Sequence, residues 1–146
     1  MAERKEKQAN FEKQRIQRQQ NILHIKHDKE HMLTIYTYGY RKRKFASKNC
    51  QRNFDVRDLT FMADNKSELK NKTGMDMEIQ EAIFNKFKFQ QYICHIIKTV
   101  EKNKLSNISI CCHLGIHRCV AIAEIIKEKF YPKATIHHIE LGIDYC

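Results

Sequence analysis

The sequence predicts a small α/β domain: a mostly parallel sheet with helices on its faces, preceded by a charged N-terminal helix. Short runs rich in β-branched and aromatic residues alternate with long amphipathic segments, a pattern typical of parallel strands joined by helices. Gly (4) and Pro (1) are scarce among the 146 residues, which disfavours a loop-rich all-β fold. This length suits one domain with one modest core.

The chain divides into an extension and a domain. Residues 1–31 are dense in Lys, Arg, Glu and Gln, with few apolar residues and no Gly or Pro. This composition predicts a charged, partly frayed helix, or a segment that a partner orders. The α/β domain is then expected over residues 32–146.

Four strands and two helices are predicted within the domain. The strands are Leu33–Tyr38, Asn53–Arg57, Asn107–Cys111 and Ala134–Ile139. Apolar residues at spacings of three and four predict one helix over Glu78–Lys102 and another over Cys119–Phe130, which Pro132 stops. The connection Asp58–Thr73 is polar and closes on a Thr-Gly pair.

The charge balance favours anionic partners. Lys and Arg number 27 against 17 Asp and Glu, giving a formal net charge of +10. Four consecutive basic residues follow the first strand without an intervening acid, and they are the candidate RNA-binding residues: Arg41, Lys42, Arg43 and Lys44. The alternative is a solvated basic surface without a nucleic-acid partner.

The sequence also bears on location. It contains no apolar run of about 18 residues and no signal-peptide core near its start, so we expect a cytoplasmic protein without a membrane partner. Its six Cys are then expected to be reduced thiols.

The segment from Ile108 to Arg118 carries most of the chemical information. A buried strand ends in a short loop, and a helix begins immediately after it. Helix N-termini bind anions through unpaired N–H groups, and Gly115 lets several such groups converge. Arg118 is placed to contact two phosphate oxygens, with His117 as a titratable donor beside it.

The same loop permits a catalytic interpretation. The spacing Cys-x-x-Gly-x-x-Arg resembles the loop of cysteine-dependent protein phosphatases. Cys112 would then be the nucleophile, Arg118 would stabilise its thiolate, and Asp55 or Asp58 would supply the general acid.

Two residues depart from the phosphatase pattern. Cys111 stands where those enzymes usually have His, and Cys119 stands where they usually have Ser or Thr. Both also fit a role as small buried apolar residues. Zinc binding is a further alternative, although the ligand candidates crowd one loop without a second chelating pair, so no metal or cofactor is predicted. These candidates are Cys111, Cys112, His113, His117 and Cys119, with His137 or His138.

Taken together, these motifs identify a resemblance to the C-terminal domain of the RNase adapter protein RapZ. Four segments carry it in the family's order over about residues 33–141: Tyr38–Arg41 (YGYR), Phe54–Leu59 (FDVRDL), Leu69–Asp76 (LKNKTGMD) and Ile110–Val120 (ICCHLGIHRCV).

The resemblance implies a non-catalytic domain that binds a phosphorylated small molecule, an amino-sugar phosphate or a nucleotide. It also implies an RNA-binding adapter role and assembly into a homo-oligomer. The ligand-binding residues that it implies are Cys112, His113, Gly115, His117, Arg118, Asp55 and Arg57.

Three differences from the family qualify this transfer. Residues 1–146 contain no counterpart of the family's N-terminal P-loop domain, so we do not expect the nucleoside triphosphate hydrolysis that such a domain would carry out. His113 and Leu114 replace a Thr-Gly pair and narrow the loop. The basic segment after the last strand is missing, so RNA binding would depend on Arg41–Lys44 and on residues 1–31.

Overall fold

The computed structural model describes residues 2–60 and 71–146 and shows the predicted mixed α/β architecture. Its strands are β1 (Thr34–Gly39), β2 (Arg52–Asp55), β3 (Asn107–Cys112), β4 (Thr135–His138) and β5 (Ile143–Tyr145). Its helices are α1 (Ala2–Leu23), α2 (Met77–Phe84), α3 (Phe87–Asn103) and α4 (Arg118–Lys129), with a short 3₁₀ helix at Ile139–Leu141.

The five strands form one sheet in the order β2-β3-β1-β4-β5. The first four are mutually parallel, and β5 pairs antiparallel with β4. Ile35 in the central strand is level with Ile108 on one side and Ile136 on the other. This register aligns three buried side chains and confirms the mostly parallel sheet.

The helices that connect parallel strands pack on one face of the sheet. The crossovers from β2 to β3 and from β3 to β4 move in the same direction across the sheet, so right-handed connections place α2, α3 and α4 on the same side. Ile108 and Ile110 are fully buried in the core on this side. Segment 40–51 returns in the opposite direction and crosses the other face, where the Tyr38 hydroxyl donates to the Lys44 carbonyl.

The prediction of one continuous helix over Glu78–Lys102 is wrong, because α2 and α3 are separate helices. The backbone becomes extended at Lys86, and the buried Gln90 side chain donates to the Phe84 carbonyl at 2.7 Å. This bond satisfies a carbonyl that the break would otherwise leave unpaired. The break also lets both Phe84 and Phe89 reach the core.

The last strand was not predicted. β5 has only three residues and follows the 3₁₀ helix through Gly142, whose φ of 65° reverses the chain. β4 correspondingly ends at His138, one residue before the predicted end. Such a short segment gives no period of its own, so pairing with β4 defines it.

The N-terminal helix is confirmed over Ala2–Leu23. It contacts α3 near its C-terminal end, where Ile22 is buried, while Phe11 and Ile16 are exposed. Within the predicted connection Asp58–Thr73, residues 61–70 lie outside the described residues. In the part of the chain that the structure describes, no helix combines the length and apolar character needed to cross a membrane.

Candidate anion-binding site

The candidate site lies where β1 and β3 end and α4 begins. Gly39 and Cys112, the last residues of the two strands, are partners in the sheet. Gly115 adopts a φ of 77°, and a Cβ there would lie 2.3 Å from the Gly39 nitrogen. The loop therefore packs backbone to backbone on the end of β1, which only glycine permits.

The sulfur of Cys112 lies against a second thiol and a backbone N–H group. Its neighbours include the Cys119 sulfur at 3.3 Å and the Gly115 N–H at 3.3 Å. The Cys119 side chain and the N–H groups of Cys119 and Gly115, with the charge of Arg118, lower the pKa of Cys112 to about 5 against the opposing effect of burial. This lowered pKa favours the thiolate form of Cys112 near neutral pH.

Cys119 titrates in the opposite direction. It is fully buried, and this burial raises the pKa of its thiol well above the usual value, with the adjacent Cys112 adding to the effect. Cys119 therefore remains a thiol and can donate to the Cys112 thiolate.

Arg118 joins the start of α4 to the segment after β2. Its Nη1 donates to the Arg57 carbonyl at 2.9 Å and to the Leu59 carbonyl at 3.0 Å. Arg118 also lines the cavity over the loop, where its guanidinium charge faces any bound anion. Arg118 thus holds the start of α4 against the segment after β2 and places a positive charge beside the loop.

A cavity of about 140 Å³ opens over this loop. Two arginines and the N-terminal end of α4 give it a positive character, which suits an anion. Its lining residues are Arg41, Cys112, His113, Leu114, His117 and Arg118.

The Thr73-Gly74 turn supports the loop from the other side. The Gly74 N–H donates to the Ile116 carbonyl at 2.7 Å, and His117 Nε2 lies 2.7 Å from the Lys72 carbonyl, to which it can donate. A Cβ at Gly74 would lie 2.3 Å from the Ala121 nitrogen, inside the first turn of α4. The Thr73-Gly74 turn, part of the third family motif, thus positions the loop in the fourth motif, Ile110–Val120.

Asp55 and Arg57 lie beside the cavity and do not line it. Arg57 donates to both carboxylate oxygens of Asp55 and stacks on the Tyr40 ring at 3.7 Å. These hydrogen bonds hold the pKa of Asp55 below its usual value. The pair braces the Arg57 backbone, whose carbonyl accepts from Arg118.

The four basic residues Arg41–Lys44 differ in their contacts. Arg43 donates two hydrogen bonds of 2.9 Å to the Glu140 carboxylate, which also accepts from the Gly39 N–H. Arg41 lines the cavity, whereas Lys42 and Lys44 are exposed. The basic sequence around Arg41 predicted only RNA binding for this residue, although its place just after β1 also indicates the carboxyl edge of the sheet.

The zinc candidates do not converge. Successive strand residues point to opposite faces, so Cys111 lies near Asn53 while Cys112 contacts Cys119. Among the residues that the structure describes, no three His, Cys, Asp or Glu side chains are arranged to hold a metal ion.

The fold and the loop together define a class: an α/β domain with a candidate anion-binding loop at the carboxyl edge of its sheet. Comparison with protein families makes the assignment specific. The chain belongs to the RapZ C-terminal domain family, whose model matches residues 31–142. A search of curated proteins gives no match.

Proposed function

We propose that the loop Cys112–Arg118 binds the phosphate group of a small molecule without transforming it. The observation that carries this proposal is the cavity between Arg41 and Arg118, above the N-terminal end of α4. Its donors are already held in place by Gly39, Gly74 and the Arg57 carbonyl. A preorganised site loses little conformational freedom on binding, which favours affinity.

The expected affinity follows from the donors. Hydrogen bonds to a charged group contribute about 1.5–3 kcal/mol each. A few such bonds reach the roughly 8 kcal/mol that corresponds to a micromolar dissociation constant. Membership of the RapZ C-terminal domain family favours an amino-sugar phosphate or a nucleotide as the ligand.

Thermal unfolding in the presence of phosphorylated ligands tests this proposal. Inorganic phosphate, amino-sugar phosphates and nucleotides should raise the unfolding temperature of the wild type and leave that of Arg118→Ala unchanged. Arg52→Ala is the matched control, because it removes the same charge from the exposed start of β2. Equal stabilisation of the wild type and Arg118→Ala would refute the proposal.

A cysteine-dependent phosphatase is the second candidate, and the thiolate character of Cys112 favours it. The state of Asp55 opposes it, because a carboxyl with a lowered pKa and a paired Arg57 is a poor general acid at neutral pH. Hydrolysis of an aryl phosphate that disappears in Cys112→Ser would establish the enzyme. Folded wild type without turnover would leave the loop as a phosphate receptor.

We also propose that RNA, a partner that the family resemblance suggests, binds here along the basic stretch Arg41–Lys44 and the aromatic residues beside it, Tyr40 and Phe45. Lys42 and Lys44 are exposed, and the residues at the two ends, Tyr40 and Phe45, are 43% and 60% exposed. Exposed cations that neutralise phosphates, flanked by aromatic rings that stack on bases, suit single-stranded RNA.

A further inference from the structure

The two cysteines at the base of the loop form a close pair. The sulfurs of Cys112 and Cys119 lie 3.3 Å apart, one at the end of β3 and the other in the first turn of α4. We propose that Cys112 and Cys119 are a peroxide-sensitive dithiol that closes into an intramolecular disulfide. This proposal concerns the thiols alone and does not depend on what the loop binds.

The geometry needs only a small movement. A disulfide has a sulfur–sulfur distance of about 2.05 Å, so the two sulfurs must approach by roughly 1.2 Å. Both residues are fixed by backbone elements: Cys112 is paired with Gly39 in the sheet, and Cys119 is in a helix. Rotation of the two side chains within this frame can supply the movement.

The cavity determines which sulfur meets the oxidant. Cys112 is 2% exposed and lines the cavity, whereas Cys119 is fully buried behind it. A molecule as small as hydrogen peroxide can therefore reach Cys112 first. The lowered pKa of Cys112 provides the thiolate that reacts with peroxides, while Cys119 stays protonated as the second thiol.

The reaction balances with one molecule of peroxide. The Cys112 thiolate attacks one peroxide oxygen, the O–O bond breaks, and the departing hydroxide takes up a proton as water; Cys112 becomes a sulfenic acid. The Cys119 sulfur then attacks the Cys112 sulfur, and the S–O bond breaks. The hydroxide leaves with the Cys119 proton as a second water. The two thiols lose two electrons, and the peroxide gains them.

Cys111 provides a matched control. It is fully buried, adjacent in sequence to Cys112 and on the opposite face of the sheet, near Asn53. Burial raises the pKa of its thiol, so it lacks thiolate character. Cys111 is next to Cys112 in the sequence, but its sulfur lies on the opposite face of the sheet. Comparing the two cysteines therefore shows whether the disulfide depends on the position of the sulfur or only on the position in the sequence.

Mass spectrometry after treatment with one equivalent of hydrogen peroxide tests the inference. The wild type should lose the mass of two hydrogen atoms, and a non-reducing tryptic digest should link peptide 105–118 to peptide 119–127. A thiol reductant should reverse both changes. Cys111→Ser should give the same link, which assigns it to Cys112. In Cys119→Ala, Cys112 should accumulate as a sulfenic acid trapped by dimedone and then as a sulfinic acid.

Two results would overturn the inference. One is a wild-type disulfide that uses a cysteine other than Cys112 or Cys119. The other is wild-type Cys112 passing to the sulfinic acid as fast as it does in Cys119→Ala. Fragmentation of the linked wild-type peptides places the bond at Cys112 or at Cys111 even if a variant fails to fold, and circular dichroism of each reduced variant identifies such a failure.

Discussion

The chemistry of Cys112 shows how neighbouring atoms change a side chain. An isolated thiol is protonated at neutral pH, but donors from Cys119 and Gly115 surround this one, and the Arg118 charge adds to their effect. They outweigh the burial that would otherwise favour the neutral form. The phosphatase alternative and the disulfide proposal both depend on this one residue.

We expect the Cys112 thiolate to form with a midpoint near pH 5, since the pKa of Cys112 is lowered to about 5. Replacing Cys119 with Ala should raise this midpoint, because the contact that lowers the pKa of Cys112 most is lost. Thiolate absorbance in the ultraviolet, recorded against pH, measures both. Cys112→Ser is the control, because the low-pH transition should disappear in it.

The lowered pKa of Cys112 makes the free energy of unfolding depend on pH. Because the native pKa of Cys112 lies below that of the unfolded chain, unfolding takes up a proton at intermediate pH. The stabilisation is therefore complete above the unfolded pKa and is lost as the pH falls through about 5. A wild type and a Cys112→Ser variant that lose stability in parallel over this range would contradict the assignment.

Among the secondary-structure elements, the loop between β3 and α4 depends on close backbone packing. Gly115 faces the end of β1, and Gly74 faces the first turn of α4. Both contacts join segments that are distant in sequence. The site is therefore held by the elements around it as well as by its own hydrogen bonds.

Gly115→Ala should destabilise the protein by roughly 3 kcal/mol, since it combines left-handed strain with a steric clash against Gly39. Gly142→Ala is the matched control. Gly142 has a φ of 65°, but no atom lies within 4 Å of an added Cβ, so only about 1 kcal/mol of strain is expected. Urea unfolding measures both values. Equal losses would show that the close approach to β1 carries no energetic weight.

For the whole molecule, topology brings two basic features together. Segment 40–51 begins at the carboxyl end of β1, so Arg41 lines the loop cavity, while the exposed Lys42 and Lys44 are not among its lining residues. The net charge of +10 adds a general attraction for polyanions. The proposed RNA surface therefore begins at the edge of the proposed phosphate site.

The double variant Lys42→Ala/Lys44→Ala should weaken RNA binding and reduce its salt dependence by about one unit of slope per lysine that contacts a phosphate. Electrophoretic mobility shift at several salt concentrations measures this. Lys88→Ala/Lys98→Ala, on the exposed side of α3, removes the same charge from another surface. If both pairs reduce affinity equally, binding is a general effect of charge and the proposed surface is wrong.

Much of this fold could be read from local patterns. Runs of β-branched and aromatic residues predicted β1 and β3, and the spacing of apolar residues predicted α4. The charged composition of residues 1–31 predicted the N-terminal helix. These patterns could not locate the break between Phe84 and Phe87, where a bond from Gln90 and the shape of the core decide the geometry. Nor could they find β5, which exists through its pairing with β4.

For the candidate site, the sequence alone predicted the strand–loop–helix with Gly115 and Arg118, because a buried strand, a glycine in the loop and the start of a helix each have a local sequence signal. Only the tertiary structure decided that Arg43 pairs with Glu140 and that Arg41 lines the cavity. Only it brought Cys119 to 3.3 Å from Cys112, since strand alternation and helix packing fix where each sulfur points. Residue type follows from local chemistry, whereas the partner of each side chain follows from how the sheet and the helices pack.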